Sequence, residues 1–386
     1  MKIVVYCQHV LGIGHFFRTL EICRKLKGHE VVLVTGGERP DIALPDHVRE
    51  IPLPGLMMDA DFSQLFTTEK DHSIETVRSQ RQDRLHRLFE TESPDVFLIE
   101  LYPFGRKAFR FELDPILEGI RKGELPSCHV ICSLRDVLVE KRKVESYEVR
   151  VIKILNRFFD AVLVHADPQL LKLNTTFTRL SDIACPIVYT GFVTPRPAPG
   201  SGKRLRERLG IKPKNKLVVV SAGGGKVGFR VLITVAQAIK YMSEEIRVFM
   251  FSGPFMDADN FQKLKSYQNS KLHVDRFTPN FLAFLDAADL SVSMAGYNTS
   301  MNLMAAGTPA LVWPFAQNRE QRLRAERLAL LGGIKVLADT DLAPETMASH
   351  MQAMLSQSKR SAGMIDLAGA EATARWIEEN CRVGGL

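Results

Sequence analysis

The run SVSMAGYNTSMNLMAAGTPALVWPF, residues 291–315, constrains the fold of this chain more than any other. Apolar residues 290–294 stop at Ala295-Gly296, a helical pattern occupies 299–306, Gly307-Thr308-Pro309 ends it, and a second apolar run starts at Ala310. That order is strand, glycine turn, helix, strand. A helix that begins straight after a glycine presents backbone N–H groups and the positive end of its dipole, which suits a phosphate or diphosphate. The run therefore predicts an anion-binding crevice within an α/β fold.

The same alternation of apolar runs and helical patterns extends along the chain and predicts parallel sheets covered by helices. Strands are expected at 2–7, 30–35, 96–100, 129–133, 161–165 and 187–189, and again at 217–221, 247–252, 272–275, 290–294, 310–313 and 334–337. Two doubly wound sheets result, one in each half. Between them TPRPAPGSGK, residues 194–203, has three prolines, two glycines and no periodicity, the marks of an exposed linker. The expected division is a domain over 1–193, the linker over 194–203, a second domain over 204–364, and a C-terminal helix within 365–386. Ala368, Ala372, Trp376 and Ile377 are expected to line one face of that helix.

At 386 residues, 45% hydrophobic and 25% charged, the chain can bury two cores. It has no apolar stretch near the ~20 residues needed to cross a bilayer, and its start, MKIVVYCQHV, lacks the pattern of a signal peptide. A cytoplasmic location is expected. The six cysteines show no CxxC pair or zinc-type spacing, so free thiols and no metal are expected. The net charge of +7 favours anionic partners without choosing among sugar nucleotides, nucleic acid and acidic lipid headgroups. No nucleic-acid motif accompanies it.

Open parallel sheets bind ligands beyond the carboxyl ends of their strands. In the first half that rule selects residues 8–15, Gly36-Gly37, Glu100, Arg135-Asp136 and His165; in the second it selects 223–225, Gly253, Phe277 and 295–299. In VLGIGHFFRTLEICRKL, Gly12 and Gly14 permit a tight path and place His15 at the start of a helix, where the dipole keeps the imidazole neutral and able to act as a base. The same glycines serve equally well as a plain turn with His15 as a cap. Arg18, one turn on, binds an anion or lies in solvent, the second being favoured. SAGGGKVGFRVL follows the first strand of the second half, and its glycines expose amides to which Lys226 adds charge. It lacks P-loop spacing, and no acidic residue ends the next strand, which weakens a nicotinamide dinucleotide reading.

GIGH near the N-terminus, the glycine loop at 222–225 and MAGYNTSMNLMAAGTPALVWPFAQNREQRLRAERL together resemble the GT-B glycosyltransferases. They are most similar to the MurG-like group with a family 28 type C-terminal domain, including an uncharacterised bacterial set of glycosyltransferases. The resemblance implies two Rossmann-like domains facing an interdomain cleft, the first on the acceptor side, the second binding a nucleotide sugar, with the C-terminal helix able to cross back. It implies that Gly223, Gly224, Gly225, Gly296, Tyr297, Asn298 and Thr299 surround the donor diphosphate. By the same likeness, Phe277 sits beside the base, and Glu320 and Gln321 meet the sugar hydroxyls; an EQ pair on an arginine-rich helix is otherwise a solvated face. The family carries an acidic residue that grips both ribose hydroxyls, and here Asn302 replaces it. Losing that charge-assisted contact costs about 1–3 kcal/mol of binding.

The implied reaction is an inverting, metal-independent displacement by an acceptor hydroxyl on a nucleoside-diphosphate sugar, UDP-linked, with a hexosyl or N-acetylhexosaminyl group transferred and no cofactor. His15 is the first candidate base, and Glu100 and Asp136 are alternatives that also read as caps or as salt-bridge partners of Arg135. Gly12, Gly14, Arg18, Arg135 and His165 form the acceptor or anion side. Arg106, Lys107, Arg110, Lys141, Arg142 and Lys143 with Phe104, Phe109 and Phe111 form either a basic surface for a lipid-linked or anionic acceptor at the inner membrane face, or a helix with phenylalanines inward and bases in water. The second is favoured. GIGHFFR with its following helix also resembles nucleotide-sugar hydrolases, and Asn302 leaves open a noncatalytic nucleotide-sugar-binding partner.

Overall fold

A computed structural model describes residues 1–8, 14–37, 42–58, 64–68, 72–138, 143–315, 319–359 and 365–381. The chain divides into two compact units, one formed by residues 1–193 with the segment from Ala368 onward, the other by 194–367.

In chain order the first unit comprises β1 (Lys2–Cys7), α1 (Gly14–Lys25), β2 (Glu30–Thr35), β3 (Val48–Pro52), β4 (Leu56–Met58), β5 (Leu65–Thr67), α2 (Ile74–Glu92), β6 (Val96–Glu100), α3 (Arg110–Lys122), β7 (His129–Arg135), α4 (Val144–Phe158), β8 (Ala161–His165) and β9 (Ile187–Tyr189). Seven of these strands form a parallel sheet in the order β3-β2-β1-β6-β7-β8-β9, and β4 and β5 pair as an antiparallel hairpin. Every residue of β6 and β8 is buried, as expected of inner strands covered on both faces. Sequence reading misses β3 and the hairpin because VREIP is mixed in polarity, LMM and LFT are only three residues each, and all three are only partly buried.

The second unit comprises α5 (Ser201–Arg208), β10 (Lys216–Ser221), α6 (Phe229–Ala238), β11 (Ile246–Phe251), α7 (Ala258–Lys265), β12 (Leu272–Asp275), α8 (Phe281–Ala287), β13 (Leu290–Met294), α9 (Tyr297–Ala306), β14 (Ala310–Trp313), α10 (Arg319–Leu330), β15 (Ile334–Val336) and α11 (Pro344–Leu355). Its six strands are parallel in the order β12-β11-β10-β13-β14-β15. Helix α9 stops where the sequence predicts: Gly307 adopts a left-handed φ of 63° and donates its N–H to Leu303 and Met304, closing the last turn.

The linker is shorter than expected. Thr194 is buried and α5 starts at Ser201, because Ser201 Oγ and the Gly202 N–H donate to the Asp286 carboxylate at 2.8 and 2.6 Å and dock α5 on α8. Helix α12 (Gly369–Asn380) packs within the first unit, its Ala370, Ala374, Ile377 and Cys381 joining a core with Ile3, Val5 and Phe16. The buried face agrees with the predicted one at Ile377, and Trp376 packs against the core while partly exposed, but Ala370 and Ala374 are buried where Ala368 and Ala372 were expected. Gly369 permits this docking: a methyl there would lie 2.2 Å from the Gly191 carbonyl oxygen.

Candidate active site

Each sheet has one point where the strand order reverses: between β1 and β6 in the first unit and between β10 and β13 in the second. Crevices form beyond the carboxyl ends of such neighbours. The residues that leave those four strands, Glu100 at the end of β6 and 223–225 and 295–299 after β10 and β13 among them, belong to the two sets singled out in the sequence.

At the first point Glu100, the last residue of β6, meets His15 in the opening turn of α1. His15 Nδ1 lies 2.6 Å from Glu100 Oε1, Arg18 donates to the same oxygen at 2.5 Å, and Arg106 donates to Oε2 at 3.0 Å. The side chains of Glu100, Arg18 and Arg106 are buried, whereas that of His15 keeps 25% exposure. Two facing lone pairs at 2.6 Å would repel, so Nδ1 carries the proton and donates it to Glu100. The other ring nitrogen, Nε2, is then the acceptor and is bonded to no described residue.

Burial pushes the His15 pKa down to about 3, with help from Arg106 and Arg18 against the pull of Glu100, so the ring is neutral near pH 7. Burial alone would raise the Glu100 pKa, but His15, Arg106 and Arg18 outweigh it and hold the carboxyl well below the usual range. This is an oriented neutral base beside a fixed anion that can stabilise the imidazolium formed on proton uptake.

Arg18 is thus not the solvated helix residue expected. Arg106 is not a solvated base either: it adopts a left-handed φ of 58° after the turn closed by Gly105 N–H to Leu101, and that turn folds it back onto Glu100. Pro103 and Gly105, two turn formers directly after a strand, were the available signal. Phe104 and Phe109 are buried, as the favoured reading of this segment had it, and Arg110 pairs with Asp114 at 2.8 Å. Gly12, Lys141 and Arg142 lie outside the described residues; Gly14 opens α1.

Asp136 is fully buried just past β7, and Arg135 donates to the Val137 carbonyl at 3.3 Å. His165 is buried with Nε2 2.7 Å from Ser133 Oγ and Nδ1 2.9 Å from Thr190 Oγ1, so both nitrogens are engaged and neither serves as a base. Burial lowers its pKa to about 3, with a further contribution from Arg18. An unfolded histidine titrates near 6.5. Between that pH and about 3 the unfolded chain binds a proton that the folded chain excludes. The stability is complete above pH 6.5 and is lost as pH falls, by up to about 1.4 kcal/mol per pH unit. The melting temperature should drop across this window, and His165→Gln should flatten the drop; an equally steep profile in the variant would refute the assignment.

Beneath this edge lies a polar network that the sequence did not announce. Arg81 donates to both oxygens of Glu112 at 2.7 and 2.6 Å and to Gln8 Oε1 at 2.7 Å, and the Tyr6 hydroxyl also donates to Glu112. All four are buried. The network anchors Gln8, the residue from which the chain leaves β1.

At the second switch point the loops after β10 and β11 interlock. Gly223, Gly225 and Gly253 have left-handed φ values of 65°, 92° and 90°. The Phe255 N–H donates to Gly224 at 2.9 Å, and a methyl on Gly253 would lie 2.5 Å from Gly223 O and Gly225 N. Gly253→Ala should therefore part the loops, costing about 1–3 kcal/mol of stability and at least about tenfold in nucleotide affinity. Calorimetric titration checks this, and unaltered affinity would remove these loops from the donor site.

Beyond β13, Gly296 caps α9 without a side-chain bond, and a methyl on Gly296 or Gly223 would meet no atom of the described residues within 4 Å. Space is open at both turns. Tyr297 is buried, Asn298 and Thr299 partly so. Buried Arg324 on α10 supports the turn, donating to the Ala295 carbonyl at 3.2 Å with its guanidinium 5.5 Å from the Tyr297 ring centre. Sequence reading missed it among many arginines. Glu320 is buried rather than on a solvated face, and Gln321 Oε1 accepts from the Phe315 N–H at 3.2 Å. Asn302 Oδ1 accepts from Thr194 Oγ1 at 2.8 Å. Phe277 follows β12 at the margin of the same sheet edge and is 46% exposed, open to a planar ring.

Residues 218–379 match the glycosyltransferase family 28 C-terminal domain. Over 173 residues the chain is 25% identical to an uncharacterized glycosyltransferase of Methanopyrus kandleri, covering 45% of this chain and 48% of that one. Over 181 residues it is 26% identical to the UDP-N-acetylglucosamine–N-acetylmuramyl-(pentapeptide) pyrophosphoryl-undecaprenol N-acetylglucosamine transferase of Aquifex aeolicus, covering 46% and 51%. The chain spans about half the length of these curated relatives. Among solved structures, the calicheamicin glycosyltransferase CalG4 shares the fold with a TM-score of 0.59 at 15% identity over 98% of this chain and 96% of that one. MurG of Acinetobacter baumannii does so at 0.55 and 16% identity over 97% and 95%. The fold is that of the GT-B glycosyltransferases. The match to the family 28 C-terminal domain spans most of the second unit and runs on into α12, and the chain is similar over part of its length to the MurG-type transferase of Aquifex aeolicus.

Proposed function

We propose that the protein is an inverting, metal-independent glycosyltransferase that moves a hexosyl or N-acetylhexosaminyl group from a UDP-linked donor to an acceptor hydroxyl. The observation that carries this reading is the His15–Glu100 pair: a neutral imidazole whose Nδ1 is fixed by a carboxylate and whose Nε2 is bonded to no described residue. In the proposed reaction Nε2 takes the acceptor's proton as its oxygen attacks the anomeric carbon. Charge growing on the departing nucleoside diphosphate is stabilised by amides of the 223–225 loop and the α9 N-terminus. Glu320 and Gln321 hold sugar hydroxyls, and Phe277 packs on the base.

The acceptor is read as lipid-linked or anionic, in line with the pyrophosphoryl-undecaprenol in the name of the Aquifex aeolicus relative. Among the described residues no helix is long and apolar enough to cross a membrane, so contact with a lipid acceptor would be peripheral. The test is incubation with a panel of sugar nucleotides, with and without a polyprenyl-diphosphate acceptor. Nucleotide release that requires acceptor supports transfer. Release without acceptor replaces it with hydrolysis, and binding without turnover replaces it with a noncatalytic role.

A further inference from the structure

Asn302 lies five residues into α9, about 7–8 Å along the axis from the helix start. If the donor diphosphate occupies that start, its pentose falls beside Asn302. This inference rests on the nucleotide-sugar reading above. The side chain there is already partly committed: Thr194, itself buried, donates its single hydroxyl hydrogen to Asn302 Oδ1 at 2.8 Å, whereas the Pro195 carbonyl is 3.4 Å away.

That bond changes what a pentose meets. An ionised carboxylate only accepts, and its two oxygens can take hydrogens from both vicinal hydroxyls at once. Asn302 has one acceptor oxygen, which Thr194 occupies at one lone pair, and it turns an amide NH2 with two donors toward other partners. An N–H donor is satisfied by the oxygen of a single hydroxyl. Asn302 therefore offers neutral bonds that one hydroxyl can fill, and it supplies no negative charge that rewards the second.

We propose that Asn302, held by Thr194, lets this protein take 2′-deoxyribonucleoside diphosphate sugars, the thymidine diphosphate class, alongside ribonucleotide donors. Loss of one neutral bond costs about threefold to tenfold in affinity, whereas loss of a bond to a charged group costs about tenfold to a hundredfold.

The experiment is calorimetric titration of the full chain with uridine diphosphate, 2′-deoxyuridine diphosphate and thymidine diphosphate. The ribose and 2′-deoxyribose forms should bind within about tenfold of each other. Asn302→Glu should widen that ratio beyond about tenfold, and the nearly isosteric Thr194→Val, which frees Oδ1, should shift it the same way by a smaller factor. A wild-type preference for ribose well above tenfold overturns the proposal and leaves the donor reading intact. An unchanged ratio in a folded Asn302→Glu places the pentose elsewhere and overturns it too. If no nucleoside diphosphate binds, both readings fail together.

Discussion

Replacing His15 with alanine is expected to lower turnover by about 10²–10⁴-fold, the usual contribution of a positioned general base, while nucleotide affinity stays within about twofold, well under the 1.4 kcal/mol of a tenfold change. The separation follows from where the residues sit. His15 belongs to α1 in the first unit, and every residue assigned to the donor belongs to the second. The substitution leaves Glu100 bonded to Arg18 and Arg106, so no buried charge is stranded. Steady-state turnover and nucleotide titration on the same preparation check both halves. Activity near the unmodified level would show that another group takes the proton.

The second large effect is expected at Glu100. Glu100→Gln removes the charge that Arg18 and Arg106 share with His15, leaving two guanidinium groups with buried side chains around a neutral amide. Breaking a buried ion pair at one partner costs about 3–5 kcal/mol. The imidazolium formed during proton uptake also loses its counter-charge, so turnover should fall by about 10²-fold or more even in the folded fraction. Denaturant unfolding and turnover per folded molecule are the two readouts. Glu100→Asp, which restores the charge with a shorter reach, should recover part of the stability. A Gln variant with unaltered stability and rate would reduce Glu100 to a strand-end residue without a role in the site.

The departures from expectation have a common physical origin. Arg18 and Arg106 read as solvent-facing because charged residues near a helix start or within a basic segment usually are. Both are buried here because Glu100, 82 residues from Arg18 in the chain, supplies the anion that makes their burial tolerable. Glu320 and Arg324 were hidden for the same reason: on the sequence α10 is an arginine-rich polar helix, and only packing decides which of its turns faces the Ala295–Gly296 turn.

Local patterning determined the elements of this protein: strands such as β1, β6 and β13, and the glycine turns after β10 and β13, are written in short-range periodicity and in the conformational freedom of glycine. The grouping of His15 with Glu100 came from elsewhere. The tertiary structure set β6 beside β1 and thereby joined His15 to Glu100 across 85 residues, and it returned α12 to the first unit through the space left by Gly369. Periodicity within a strand or helix carries no information about which strand becomes its neighbour. That choice is settled by the burial of whole sheet faces and the pairing of buried charges, and both exist only once the chain has folded.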